Sequence, residues 1–234
     1  MEKCGKFIGV ICSLKSEARA VARSVDRTNL RIGVCGFGPA SAEKMTEMYC
    51  NAGAAAIVSV RIAGALDPAV KTGDLMIAEE IIGDDGKHYA TDGYLVSSVR
   101  RAAEKRGAIF GSLFGSDVFI DSESRKAALF YNHNCLAADT ESHGCARGAL
   151  RKQTPLLAIR AIADPAHLAP IEMAIEAAAS ENIASTVGML LKLAKKPQEA
   201  PQIIETRRTS DQALARLRSD LGPLFGGLFR SIDL

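Results

Sequence analysis

Asp139-Thr-Glu-Ser142 and Arg160-Ala-Ile-Ala-Asp164 are the two stretches that decide the fold. The first places a carboxylate, Glu141, at the start of a helix, where the positive end of the macrodipole favours it. The second closes the apolar run Leu156 to Ile162, which reads as a strand, and leaves Asp164 just beyond it. Between Glu141 and Asp164 there is room for one helix and a return strand. In a parallel sheet both acids then sit at one carboxyl edge, where open α/β folds bind ligands.

Outward from this pair, apolar runs alternate with amphipathic segments. Strands are expected at Phe7 to Cys12, Leu30 to Val34, Ala54 to Val60, Leu75 to Ile82, Ala108 to Phe114 and Leu156 to Ile162. Helices are expected at Ser16 to Val25, Ser41 to Cys50, Val96 to Arg106, Ser124 to Tyr131, Thr140 to Lys152 and Ile171 to Ala194. The turn Asp84-Asp-Gly86 closes the fourth strand. This alternation predicts an α/β domain with a mixed, largely parallel central sheet flanked by helices. The domain spans residues 1–195, and a C-terminal helical appendage follows over 196–234.

The composition excludes several classes. With 29 basic and 27 acidic residues the net charge is +2, and only four Tyr, eight Phe and no Trp are present. Neither a general nucleic-acid binder nor a base-stacking platform fits. The six cysteines show no CxxC or Cys/His pairing at zinc spacing, so no metal site is expected. Gly36-Phe-Gly38 fails as a dinucleotide fingerprint because position 41 is Ser. No cofactor is implied. The apolar run from Phe7 to Cys12 is too short for a signal peptide, and no stretch reaches the length of a membrane span. A cytoplasmic location is the expectation.

Three segments carry chemistry: Ser13-Leu-Lys-Ser-Glu17 after the first strand, Arg61-Ile-Ala-Gly-Ala-Leu66 after the third, and the acidic pair Glu141 and Asp164. Each has an ordinary structural reading. Glu17 and Glu141 suit the first turn of a helix, and Asp164 before Pro165 suits a turn. Together they resemble the nucleoside phosphorylase and nucleosidase superfamily, in its methylthioadenosine/S-adenosylhomocysteine nucleosidase-like branch. The carriers are Phe7-Ile-Gly-Val-Ile with Glu17, Gly36-Phe-Gly-Pro39, Ile62-Ala-Gly-Ala-Leu66, Gly73-Asp-Leu75, Gly115-Ser-Asp-Val-Phe-Ile120, Asp139-Thr-Glu141 and Arg160-Ala-Ile-Ala-Asp164. Within it, the sequence looks most like the hopanoid-associated phosphorylases, which remove adenine from a hopane-linked adenosine.

The resemblance implies a role for each residue. Asp164 would protonate or hydrogen-bond the purine N7 as the base leaves, Glu141 with Thr140 would hold the ribose, and Phe119 would lie against the purine while the backbone at Ile120 reads its edge. Glu17 would face the nucleophile beside the loop of Arg61, Ile62, Ala63 and Gly64, and Arg160 would orient the acidic site. The substrate implied is then a 5′-substituted adenosine such as adenosylhopane, cleaved at its N-glycosidic bond, and the enzyme a homodimer. Two alternatives stay open: a methylthioadenosine/S-adenosylhomocysteine nucleosidase, and a nucleoside binder without turnover.

Cleaving that bond builds positive charge on the ribose and negative charge on the base, which carboxylates and a proton donor accommodate. Departures from the family pattern are Arg61 for Gly, Ala65 for Gly, Thr140 for Met and Ala163 for Ser. They bear on the nucleophile. Glu17 favours water, because a carboxylate repels phosphate. Arg61 favours phosphate if it turns into the site, and is otherwise a surface cation or a salt-bridge partner.

In the appendage, Leu214, Leu217, Leu221, Leu224, Phe225 and Leu228 recur at helical spacing. Gly222-Pro223 is expected to break a single helix. Two readings follow: two short amphipathic pieces packed on the domain or on a dimer partner, or an interfacial patch that makes peripheral membrane contact and reaches a lipid-linked substrate.

Overall fold

The computed structural model describes residues 6–26, 28–169 and 200–232. The first apolar run becomes strand β1 (Phe7–Cys12), buried along its whole length. Helix α1 (Lys15–Ser24) leads to β2 (Leu30–Val34), and α2 (Pro39–Asn51) leads to β3 (Ala54–Ala65). β1 is parallel to both β2 and β3, as helical crossovers between neighbouring strands require. The chain continues through β4 (Leu75–Gly83), β5 (His88–Ala90), α3 (Gly93–Glu104), β6 (Ile109–Gly115), α4 (Glu123–His133), β7 (Ala137–Asp139), α5 (Ser142–Arg151) and β8 (Leu156–Asp164). The last described element is α6 (Ala200–Ser231). The helix expected over Ile171 to Ala194 lies outside the described residues.

β3 runs further than its apolar sequence suggests. Arg61-Ile-Ala-Gly64 is strand rather than loop because β8 pairs along all of it and β7 joins at Gly64. β8 lies parallel to it from Ile57↔Leu156 to Gly64↔Asp164, while β7 meets its last residues antiparallel at Gly64↔Ala138 and Ala65↔Ala137. β8 also pairs with β4, β4 with β6, and β6 with β7, so β3, β8, β4, β6 and β7 form a closed ring. The eight-stranded sheet is mixed and largely parallel, as expected. Because β7 opposes β3 and β8 in direction, Glu141 and Asp164 do not share the edge of a parallel sheet. They meet because β7 and β8 both deliver their last residues to the carboxyl end of β3.

Two close approaches position the site. A Cβ at Gly144 would lie 2.1 Å from the Pro39 carbonyl oxygen, so only glycine lets α5 settle on the start of α2. That brings Glu141, just before α5, onto the Gly38 amide, which donates to its Oε1 at 3.0 Å.

α6 corrects the expectation of a broken appendage. It is one helix that passes through Pro223. An interior proline costs about 3 kcal/mol. Leu217, Leu221, Leu224, Phe225 and Leu228 are all fully buried against α1, α3 and β8, and each such side chain contributes about 1.5–3 kcal/mol. Tertiary burial therefore outweighs the local break. Gly222 serves this packing, since a Cβ there would stand 2.7 Å from the Ser24 carbonyl oxygen. The apolar stripe thus belongs to the core and is not free to face a bilayer. No helix among the described residues is long and apolar enough to cross a membrane.

Candidate active site

At the carboxyl ends of β1, β3 and β8 lies a cavity of about 440 Å³, with Glu17, Ile62, Ala63, Gly64, Phe119, Thr140, Glu141 and Asp164 on its walls. A smaller one of about 50 Å³ adjoins it, sharing Gly64, Phe119, Thr140 and Asp164 and adding Ile120 and Lys126. The structure therefore brings together ten of the eleven residues that the sequence nominates, apart from Arg160 and with Arg61 set behind the wall.

Glu17 is 1% exposed and is held entirely by backbone. Its Oε2 accepts from the amides of Ser13 and Leu14, both at 2.9 Å, and its Oε1 from the Ile62 amide at 2.9 Å. The turn after β1 supplies the first two donors and β3 the third, so the carboxylate is fixed at the junction of two strands. Burial raises its pKa, against the pull of Arg61 and of the Ile62 and Leu14 amides.

Glu141 is equally confined. Oε1 accepts from Gly38 N at 3.0 Å and from Thr140 Oγ1 at 2.7 Å. Oε2 lies 2.6 Å from Arg61 Nη1, an ionic contact whose angle falls outside hydrogen-bond geometry. Arg61 Nη2 touches the sulfurs of Cys35 and Cys145 at 3.5 Å each. Burial pushes the Cys35 thiol up to about 11, so it meets Arg61 as a neutral contact. Arg61 is 1% exposed and takes no part in the cavity wall, which makes it the salt-bridge partner among its expected readings.

Asp164 Oδ2 pairs with the ammonium of Lys126, a residue for which the sequence reading assigned no role. The acid is also pressed against β3, where a Cβ at Gly64 would come 2.5 Å from Oδ2. Burial raises the Asp164 pKa while Lys126 lowers it, and burial prevails. Lys126 was legible as an anomaly: Leu129 and Phe130 follow it at three and four residues on α4 and face the core, so a charge at position 126 lies on the apolar face.

Arg160 is fully buried and reaches the acidic pair through Asp139. Its Nε donates to Asp139 Oδ2 at 2.7 Å, and its Nη atoms bond Ser59 and the Ile159 carbonyl. Asp139 Oδ1 in turn accepts from the amides of Glu141 at 3.1 Å and Ser142 at 2.9 Å. Arg160 thus bears on Glu141 through Asp139. Burial opposes ionisation of Asp139, yet Arg160 and Arg61 hold its carboxyl down at about 2.

Phe119 is half-buried and Ile120 buried, both on the wall of the small cavity. Asp117 precedes them, its Oδ1 2.8 Å from His143 Nε2 and its amide donating to Asp84 Oδ2 at 2.7 Å. α6 supplies two residues that sequence reasoning missed, Thr206 and Ser210, which line the large cavity. Thr206 Oγ1 and Ser13 Oγ are buried there without a protein partner. Nothing in the sequence links position 206 to the strand ends; only the packing of α6 does.

The large cavity thus presents Glu17, Asp117, Asp139, Glu141 and Asp164, and among the described residues no lysine or arginine on its wall. No cluster of His, Cys, Asp and Glu among the described residues has the geometry to hold a metal ion.

The profile of the Phosphorylase superfamily matches residues 10–195, so the chain belongs to that superfamily, as an enzyme of the nucleoside phosphorylase and nucleosidase class. Solved structures share the whole fold. The 5′-methylthioadenosine/S-adenosylhomocysteine nucleosidase of Neisseria meningitidis, in complex with methylthio-immucillin-A, superposes with a TM-score of 0.73 at 18% identity, covering 94% of this chain and 99% of that one. The nucleosidase of Colwellia psychrerythraea in complex with adenine gives 0.73 at 16% identity, covering 95% and 96%. Futalosine hydrolase of Helicobacter pylori gives 0.72 at 15% identity, covering 94% and 97%. No curated protein matches the chain in sequence.

Proposed function

We propose that the enzyme hydrolyses the N-glycosidic bond of a 5′-substituted adenosine and releases adenine. The observation that carries this is the charge of the large cavity: five carboxylates line it and, among the described residues, no cation does. Phosphate needs cations or converging amides. The three amides nearest the nucleophile side are already bonded to Glu17. Water needs only a base, and burial, which raises the Glu17 pKa, makes this carboxylate a stronger proton acceptor.

In this reading Asp164 delivers a proton to N7 as the bond from C1′ to N9 breaks. Glu141 accepts a ribose hydroxyl with the acceptor capacity left on Oε2, and its charge favours the positive ribose. Glu17 takes the proton of the water that attacks C1′. A positioned acid or base typically contributes a factor of about 10² to 10⁴.

A cavity of about 440 Å³ is on the scale of a nucleoside site. Phe37, 51% exposed on its wall, gives the mouth an apolar side, which supports an apolar 5′ substituent such as that of adenosylhopane. The second reading, methylthioadenosine or S-adenosylhomocysteine as substrate, draws support from the nucleosidases that share the fold. The homodimer belongs to the same proposal, and sedimentation tests it. The cleavage itself is tested by chromatography of adenine released from these substrates by the wild type and by Asp164→Asn. Loss of release with retained binding in the variant supports the acid; binding by the wild type with no release would make the protein a binder.

A further inference from the structure

Lys126 is 2% exposed, on the wall of the small cavity at the base end. A lysine that merely covers apolar surface keeps its ammonium in water; this one has given water up. Its three N–H donors have three acceptors: Asp164 Oδ2, the Pro165 carbonyl at 3.0 Å and the Leu168 carbonyl at 2.7 Å. The two carbonyls belong to the turn that follows β8, so the ammonium ties together the acid, its own turn and α4.

We infer that Lys126 is a positioning residue for Asp164, fixing which carboxyl oxygen faces the base and setting how readily that carboxyl gives up its proton. This rests on the cleavage proposed above. Oδ2 is taken by Lys126 on one side and crowded by Gly64 on the other, which leaves Oδ1 for the purine. The charged groups that share cavity walls with Asp164 are Lys126 from α4, Asp117 from the β6–α4 segment, Asp139 and Glu141 from the β7–α5 segment, and Glu17 from α1. Among the described residues, Lys126 is the one cation on the walls of the two cavities. Burial and the neighbouring carboxylates favour the protonated acid; among the charged groups Lys126 favours the ionised form, with a backbone hydrogen bond on the same side. Removing its charge must therefore raise the Asp164 pKa. The raised value already reflects burial working against Lys126.

The test compares wild type with Lys126→Met and Lys126→Arg, using ¹³C NMR of labelled aspartate carboxyls, with the Asp164 signal identified by its loss in Asp164→Asn. In Lys126→Met the Asp164 midpoint should rise by about 1–3 pH units, and the alkaline limb of kcat/KM should move up with it, because the acid stays protonated to higher pH. Lys126→Arg should stay near wild type. If Lys126→Met does not fold, Lys126→Gln, which keeps two N–H donors without the charge, carries the same test. An unmoved midpoint in a folded, uncharged variant overturns the inference and leaves Lys126 a structural tie. If the wild type releases no adenine, the cleavage proposal fails, and the NMR midpoint still decides the role of Lys126.

Discussion

Arg61 Nη1 lies 2.6 Å from Glu141 Oε2, with the two side chains 1% and 4% exposed. The pair spans β3 and the start of α5, and it lies behind the cavity wall. The cation that the sequence offers to a phosphate is therefore committed to Glu141. Together with Gly38 and Thr140 it fixes the Glu141 carboxylate in place.

Arg61→Met should accordingly behave as a broken buried ion pair. A loss of about 3–5 kcal/mol in unfolding free energy is expected, measured by urea denaturation. The double variant Arg61→Met with Glu141→Gln should recover part of it, since it removes the stranded charge. A change in phosphate response with stability intact would instead place Arg61 at the nucleophile.

Acid should unfold the protein partly through Asp139. Its carboxyl titrates at about 2 in the fold because Arg160 and Arg61 oppose the effect of burial, against about 3.9 in an unfolded chain. Its stabilising contribution is present above the unfolded value and is lost as pH falls from about 4 through about 2. The contribution is on the order of 2 kcal/mol. Denaturation from pH 5 to 2 should show a shallower slope for Asp139→Asn than for wild type.

Gly64 tests how finely the acid is placed. A Cβ there would overlap Asp164 Oδ2 at 2.5 Å, so Gly64→Ala must displace the carboxyl. A fall in kcat of about 10²-fold is expected, with the circular dichroism spectrum unchanged. Unchanged turnover would mean that Asp164 has no positional role.

α6 should prove inseparable from the domain. Leu221 is fully buried, and Leu221→Ala should cost about 2–5 kcal/mol. A chain ending at residue 196 should lose cooperative unfolding altogether. Because the stripe is covered, the intact protein should not sediment with liposomes through α6.

Much of this was legible in the chain. Alternating apolar and amphipathic segments gave the α/β class, and a carboxylate at each of two element ends gave Glu141 and Asp164. What escaped depended on contacts that local sequence does not encode. β7 has three residues and exists only because β3 and β6 pair with it. Pro223 stays helical because of burial that lies across the domain. Thr206 reaches the cavity from far along the chain, and Arg160 turns to Asp139 because Ser59 and Asp139 surround it.

Hydrolysis by water is the central claim, and ¹⁸O-labelled water tests it directly. The enzyme would be incubated with a 5′-substituted adenosine and phosphate in H₂¹⁸O, and the sugar product weighed by mass spectrometry. One ¹⁸O at C1 of a free sugar, with adenine released equally in the absence of phosphate, is the expected result. An unlabelled sugar 1-phosphate, formed only when phosphate is present, would contradict it.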